Sequence, residues 1–444
     1  MLFGLLDQTW LEEEKRLSRA IQVHERPPLI QTLPLSLQHL FAMFGSTILV
    51  PIIFKVDPAT ILLMNGIGTL LYLYLCRWQI PAYLGSSFAF ISPVLFILGD
   101  SPTENYPKVL GAFIVVGVIF MLFALLIRAV GTSWIDIVFP PAAMGAIVAI
   151  IGLELVPVAA KMAGWIRPDD LDATIAWSPD PKHVTVSIFT LGIIILGNVL
   201  FRGFLKIIPI LIGFVAGYLF AWANGLVDFS NVGKADLVSL PTFTLPQFEW
   251  TSILAILPAA LVVIAEHIGH LFVTENIVGK PLSKNPGLHR SLLGNGISTI
   301  LSGFVGSTPN TTYGENIGVM TLTRVYSTWV IGFAAVIAII LSFFGKLSAV
   351  ISAVPNAVLG GVSLMLFGVI AVAGIRMLVE SKVDYGMPKN VILTSIVLVI
   401  GISGTKLTIG NTELKGMVFA TIVAILLSLL FKLFEIMKLD NENE

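Results

Sequence analysis

Apolar runs about twenty residues long follow one another through nearly the whole chain, and this restricts its fold more than any other feature. A helix needs about 20 mostly apolar residues to cross a bilayer. Eleven runs approach or exceed that length: 33–54, 59–76, 109–130, 138–160, 184–201, 206–226, 251–273, 327–344, 350–373, 390–405 and 412–435. Three more, 80–98, 291–306 and 307–323, are shorter or more polar and bring the expected total to fourteen. Composition agrees. Charged residues are only 12% of the chain, against roughly 25% in soluble domains, and the mean hydropathy is +0.91. An ordinary soluble enzyme, a disordered chain and a fibrous one are excluded. The net charge of -1 provides no basic field for nucleic acid. One cysteine, Cys76, rules out a disulfide framework. The expected class is an all-α polytopic membrane protein in a lipid bilayer.

Lysine and arginine orient it. With both termini cytoplasmic and fourteen alternating spans, 17 of the 26 basic residues fall inside, as the positive-inside rule asks. Twelve spans, also an even number, would suit the same bias. Residues 1–32 read as a cytoplasmic tail: Glu12, Glu13, Glu14, Lys15, Arg16 and Arg19 stand there without the cleavage pattern of a signal peptide. Thr9 to Val23 has the character of a surface helix.

Two echoes lie about half a chain apart. Pro140-Pro141-Ala142-Ala143-Met144-Gly145 and Pro355-Asn356-Ala357-Val358-Leu359-Gly360 share P-x-A-x-x-G and each opens a long apolar run. Gly85-Ser86-Ser87 is matched by Gly306-Ser307-Thr308. Seven spans per copy is odd, so the second copy enters from the opposite side. Such inverted repeats place the site between interrupted segments near mid-membrane. Both interruptions are visible. Pro81 and Gly85-Ser86-Ser87 break the segment 80–98, and Ser86 or Ser87 can cap a half-helix there. Ser307-Thr308-Pro309-Asn310-Thr311-Thr312-Tyr313-Gly314 is too polar and broken to face lipid. Extended backbone before each half-helix can pair as a short two-stranded ribbon. The half-helix starts would leave N–H groups to meet a ligand.

Ionisable residues within the spans are His39, Glu154, Glu266, His267, His270 and Glu315. Each needs a partner, water or a proton, because charge is costly there. Glu266 and His270 are four apart and share a helix face. That pairing can gain and lose a proton, as proton coupling requires. His267 is turned away by about 100° and suits a supporting role. His39 reads as a hydrogen-bond partner, and Glu154 as structural or interfacial. His267 and His270 lack the i, i+4 spacing of the H-E-x-x-H zinc motif, so no metal or other cofactor is expected, only the proton as coupling ion.

Glu315-Asn316-Ile317-Gly318-Val319-Met320-Thr321-Leu322-Thr323-Arg324 resembles the signature of the nucleobase/ascorbate transporter family, a Gln, His or Glu followed by N-x-G-x-x-x-x-T-R. Ser36 to Gly45, Tyr83 to Phe90, Ala265 to His270 and Ser307 to Gly314 resemble its uracil-transporting branch, and the likeness spans roughly residues 20–438. The resemblance implies fourteen spans in a seven-plus-seven inverted repeat, with short strands leading into half-helices in segments 3 and 10. It implies a core of 33–130 and 251–345, a gate of 131–250 and 346–438, and a cytoplasmic tail at 439–444. It implies uptake of uracil with protons across the inner membrane by a homodimer, and no enzymatic activity. Glu266 and Glu315 would contact the base, with Phe88 and Gly314 contributing backbone and His270 supporting Glu266. Ser87 and Tyr313 would lie at the substrate, while His39, His267, Asn316, Thr323 and Arg324 would form the surroundings. Glutamate at 315 points to a pyrimidine; purine carriers of the family tend to have glutamine or histidine there. Phe367 stands where the resemblance implies a tyrosine.

The chemistry is consistent with uracil, which is flat and neutral with two N–H donors and two carbonyls. Two carboxylates accept the donors, and backbone N–H groups donate to the carbonyls. A purine carrier of the same family is the main alternative. An anion carrier is disfavoured by two acids with no basic residue in mid-membrane.

Overall fold

A computed structural model describes residues 20–99, 101–168, 176–202, 205–206, 208–409 and 412–439. It is an all-α polytopic membrane fold. Among the described residues, eight helices are long and apolar enough to cross a membrane, or nine if one pair bent by 86° counts as a span.

The chain order is α1 (Leu29–Ala42), α2 (Phe44–Phe54), α3 (Pro58–Leu75), β1 (Leu84–Ser86), a 3-10 turn (Phe88–Phe90), α4 (Ile91–Leu98) and α5 (Pro102–Val130). Next come α6 (Ile135–Val138), α7 (Pro141–Met162), α8 (Pro181–Leu200), α9 (Pro209–Ala223) and α10 (Ser230–Lys234). Then α11 (Trp250–Val278), α12 (Leu288–Val305), β2 (Asn310–Thr312), α13 (Gly314–Thr323), α14 (Thr328–Ser342) and α15 (Gly345–Ser352) follow. The chain closes with α16 (Asn356–Glu380), α17 (Pro388–Ile402), β3 (Lys406–Ile409), β4 (Thr412–Lys415) and α18 (Gly416–Ile436). Pro58, Pro102, Pro141, Pro181, Pro209 and Pro388 each open a helix. The missing N–H costs nothing in that position. Gly306, at φ +102°, ends α12 in a conformation that other residues resist.

The helices pack in two groups. In one, α12 lies against α5 and α3, α14 against α3 and α1, and α11 against α5. In the other, α7 and α16 form the seam, flanked by α8, α9, α17 and α18. Pro140 and Pro355, the two echoes of the sequence, cap α7 and α16. These helices touch backbone to backbone. A Cβ on Gly145 would meet the Gly374 carbonyl at 2.9 Å, and one on Gly152 would meet the Ala371 nitrogen at 2.7 Å. Small residues allow the close approach on which helix association in lipid depends.

Between the groups, β1 pairs antiparallel with β2, with Gly85 opposite Thr311. Side chains from the helices hold this ribbon. Thr69 Oγ1 accepts from Leu84 N at 2.9 Å, and Asn310 Nδ2 donates to Ser298 Oγ at 2.7 Å and to the Met64 carbonyl at 3.1 Å. Ser291, Asn295, Ser298, Thr299 and Ser302 are all fully buried on α12, which explains why that helix is too polar to read as an ordinary span.

Several boundaries differ from those expected. The 33–54 run is two helices meeting at Met43. The 350–373 run is broken at Pro355, because a proline disfavours helical backbone in the residue before it. Residues 412–415 are not helical but form β4, paired with β3 in a hairpin with Leu407 opposite Leu414. The alternating runs either side of Gly410-Asn411 carry that signal, and the hydropathy masks it. Of the segment expected as a surface helix, residues 9–19 lie outside the described residues, and Ile21 instead bridges Val325.

Candidate functional site

The ribbon ends where two helices begin. On one side, Ser87 caps the 3-10 turn, its Oγ accepting from Ala89 N at 3.4 Å. Its side chain is buried and serves the turn. On the other side, α13 starts at Gly314 with Tyr313 as its N-cap, whose side chain makes no capping hydrogen bond. Glu315 stands in the first turn of that helix, where the N-terminal N–H groups favour negative charge.

Glu266 lies on α11, which packs against α13, the helix that carries Glu315. His270 sits one turn further along α11. Its Nδ1 hydrogen-bonds Thr312 Oγ1 at 3.2 Å, and its Nε2 lies 3.3 Å from where a Cβ on Gly314 would be. Its Nδ1 thus pairs with β2. Phe88 and Tyr313 meet edge to face with ring centroids 6.4 Å apart. The Tyr313 hydroxyl donates to the Ser86 carbonyl across the ribbon. Phe367, fully buried on α16, packs edge to face on Phe88 at 5.8 Å. The second helix group therefore closes over the site with an aromatic ring.

The structure brings Glu266, Glu315, His270, Gly314, Tyr313, Phe88 and Ser87 to one place. His39 braces α13 from α1: Asn316 Nδ2 lies 3.1 Å from His39 Nδ1. His267 faces away, with Nε2 2.8 Å from Ser291 Oγ. Thr323 and Arg324 lie apart from the site, about 12 Å along α13 from Glu315 at the helical rise. Thr323 Oγ1 donates to the Val319 carbonyl, and Arg324, at φ 55°, ends the helix. Glu154 accepts from Met417 N at 2.6 Å, inside the second group. The sequence reading missed Thr312, Ser291 and Tyr72. Their signal was weak, a few hydroxyls among small residues in buried segments. Among the described residues, no three His, Cys, Asp or Glu side chains gather as metal ligands.

Residues 30–410 match the sequence pattern of the Permease family. The chain belongs to that family. The permease is 62% identical over 424 residues to a uracil permease of Paenibacillus larvae subsp. larvae, covering 96% of this chain and 99% of the relative. It is 61% identical over 420 residues to the Escherichia coli K12 uracil permease, covering 95% and 96%. To the uracil permease of Bacillus subtilis it is 45% identical over 416 residues, covering 92% and 94%. Among solved structures, SLC26A9 superposes with a TM-score of 0.68 at 10% identity, covering 92% of the permease and 66% of that chain. The transmembrane domain of the cyanobacterial bicarbonate transporter BicA superposes at 0.60 and 13%, covering 92% and 98%. At such identities these two share the fold alone. The resemblance noted in the signature around Glu315 is thus borne out.

Proposed function

We propose that this permease imports uracil together with protons across the bacterial inner membrane by alternating access. The observation that carries the reading is that α11, which bears Glu266, packs against α13, whose first turn bears Glu315. Two carboxylates accept the two N–H groups of a pyrimidine, and backbone N–H groups donate to its carbonyls. A site of this kind rejects analogues that leave a buried group unpaired. High identity to uracil permeases over nearly the whole chain supports the same substrate.

In this reading Glu266, Glu315, Phe88, Gly314, Tyr313 and Ser87 surround the base. Protonation of Glu266 removes the cost of its buried charge and lets the loaded core move, with His270 and Glu315 sharing in the coupling. The architecture is fourteen spans in two inverted sets of seven, the ribbon strands leading into half-helices in segments 3 and 10. The core comprises 33–130 and 251–345, the gate 131–250 and 346–438. The two packing groups fit that division. Both termini face the cytoplasm, and two copies assemble as a homodimer.

Purified protein in proteoliposomes tests the function. Labelled uracil should accumulate when the outside is made acid and stop accumulating when a protonophore collapses the gradient. Excess xanthine should leave uptake unaffected. Accumulation that ignores the gradient, or that xanthine blocks, overturns the reading.

A further inference from the structure

Beside the site runs a second polar feature that the transport reading above does not use. His267 is fully buried and engaged at both ring nitrogens. Nε2 is 2.8 Å from Ser291 Oγ, and Nδ1 is 3.4 Å from Thr312 Oγ1. Ser291 Oγ continues to the Tyr72 hydroxyl at 2.6 Å. Thr312 Oγ1 continues to His270 Nδ1 at 3.2 Å. Five side chains from α3, α11, α12 and β2 thus form an unbroken line, and each is of a type that can both give and take a hydrogen bond. A cavity lined by Tyr72, His267, His270, Ser291 and Thr312 runs along it. It leaves about 10 Å³ for the centre of a water molecule, roughly what one water needs, so water can bridge the two longer links at Thr312.

The charged groups around this line lie at its ends. Beyond His270 stand Glu266 and Glu315. Beyond Tyr72, one turn on at the end of α3, is Cys76, and Arg290 Nη1 donates to the Leu75 carbonyl beside it at 3.2 Å. Arg77, Arg128 and Arg290 all act on His289 at that end. Titratable groups next to His267 include Tyr72, ring to ring at 6.4 Å, and Glu266 and His270 on its own helix.

We propose that Thr312, His267, Ser291 and Tyr72 relay the coupling proton between His270 and the arginine-bearing face. This rests on the proton-coupled reading above. In one passage, His270 takes a proton at Nε2 from the substrate side and gives its Nδ1 proton to Thr312 Oγ1 as that hydroxyl gives its own to His267 Nδ1. His267 releases its Nε2 proton to Ser291, Ser291 passes one to Tyr72, and Tyr72 passes one to water. With the proton that enters at His270 Nε2, each N–H or O–H bond broken is matched by one formed, and both histidines end neutral. Three guanidinium groups disfavour positive charge lingering at that end, which suits it to release.

Ser291→Ala cuts the line in its middle without touching the base. The full permease in proteoliposomes is assayed twice: for uptake driven by a pH gradient, and for exchange of labelled against unlabelled uracil at equal pH. Exchange requires no net proton movement. Driven uptake should fall about tenfold or more, exchange should be retained, and Ser291→Thr should restore driven uptake. Tyr72→Phe, which keeps the ring and removes only the hydroxyl, should repeat the split. Equal losses in both assays for both variants would mean a structural network and overturn the relay, as would undiminished driven uptake. Absence of exchange in the unmodified protein would instead sink the uracil reading.

Discussion

At the scale of single residues, the site depends on a few polar atoms held where lipid would penalise any that lacked a partner. Thr69 shows the cost most directly. Its hydroxyl accepts from Leu84 N at 2.9 Å and donates to the Asn65 carbonyl at 2.7 Å, fully buried. Thr69→Val keeps the shape but orphans a strand N–H, which should lower stability by about 1–3 kcal/mol; thermal unfolding in detergent reads it. Glu266→Gln tests the coupling assignment. It should leave measurable uracil binding by calorimetry but abolish uptake driven by the pH gradient. Retained coupling in that variant would hand the proton to Glu315. The residues at this scale were unevenly legible in the sequence. Glu266, His270 and Glu315 stood out because acids and imidazoles are rare in spans. Thr312 and Ser291 did not, because hydroxyls are common there and only their neighbours distinguish them.

At the scale of elements, close packing is the controlling quantity. A Cβ on Gly152 would press on the Phe367 carbonyl and the Ala371 nitrogen. These are backbone atoms of α16 and cannot turn aside. Gly152→Val should therefore cost about 1–3 kcal/mol or more and reduce uptake by shifting Phe367 off Phe88. Gly192→Ala is the control: nothing lies within 4 Å of a Cβ there, so melting temperature should hold or rise slightly. The start of α11 offers a pH test outside the membrane. Ser252 Oγ donates to Glu249 at 2.5 Å, and Lys108 lies 3.2 Å away. The Ser252 hydroxyl first, then the Lys108 ammonium, hold the Glu249 carboxyl below its usual range. A depressed folded-state value means stabilisation that is present above the ordinary carboxylate range, about 4.3, and lost as pH falls through the lower folded value. Glu249→Gln should accordingly melt lower than the unmodified protein at pH 7, and the gap should close toward pH 3. Element type was mostly legible because hydropathy and proline placement act locally. The β3–β4 hairpin was not, since its alternation is buried in a run that counts as apolar.

For the whole molecule, the consequential contact is between the two packing groups. Phe88 belongs to the group built on α5 and α12, and Phe367 to the α7–α16 seam. If transport needs these groups to move past each other, tethering them should stop it. With Cys76→Ser as background, Phe88→Cys combined with Phe367→Cys and a short bifunctional thiol reagent should arrest uracil uptake, with release by reductant. Continued uptake after complete cross-linking would argue against relative motion. Asp57 is a second tie that no sequence pattern announces. Its carboxylate caps α3 at Ala59 N and accepts from Thr242 N at 2.9 Å and Ser348 Oγ at 2.8 Å, joining three distant stretches of chain.

The amino-acid sequence alone determined that this is a helical membrane protein. It also marked where apolar runs fail and which rare acids and histidines stand in them, because bilayer solvation acts on each stretch of chain independently. Only the tertiary structure decided the register of Gly85 against Thr311, the pairing of His270 with Thr312 and the seating of Phe367 on Phe88. Those contacts join residues from tens to hundreds of positions apart, and their energies exist only once the intervening helices have packed.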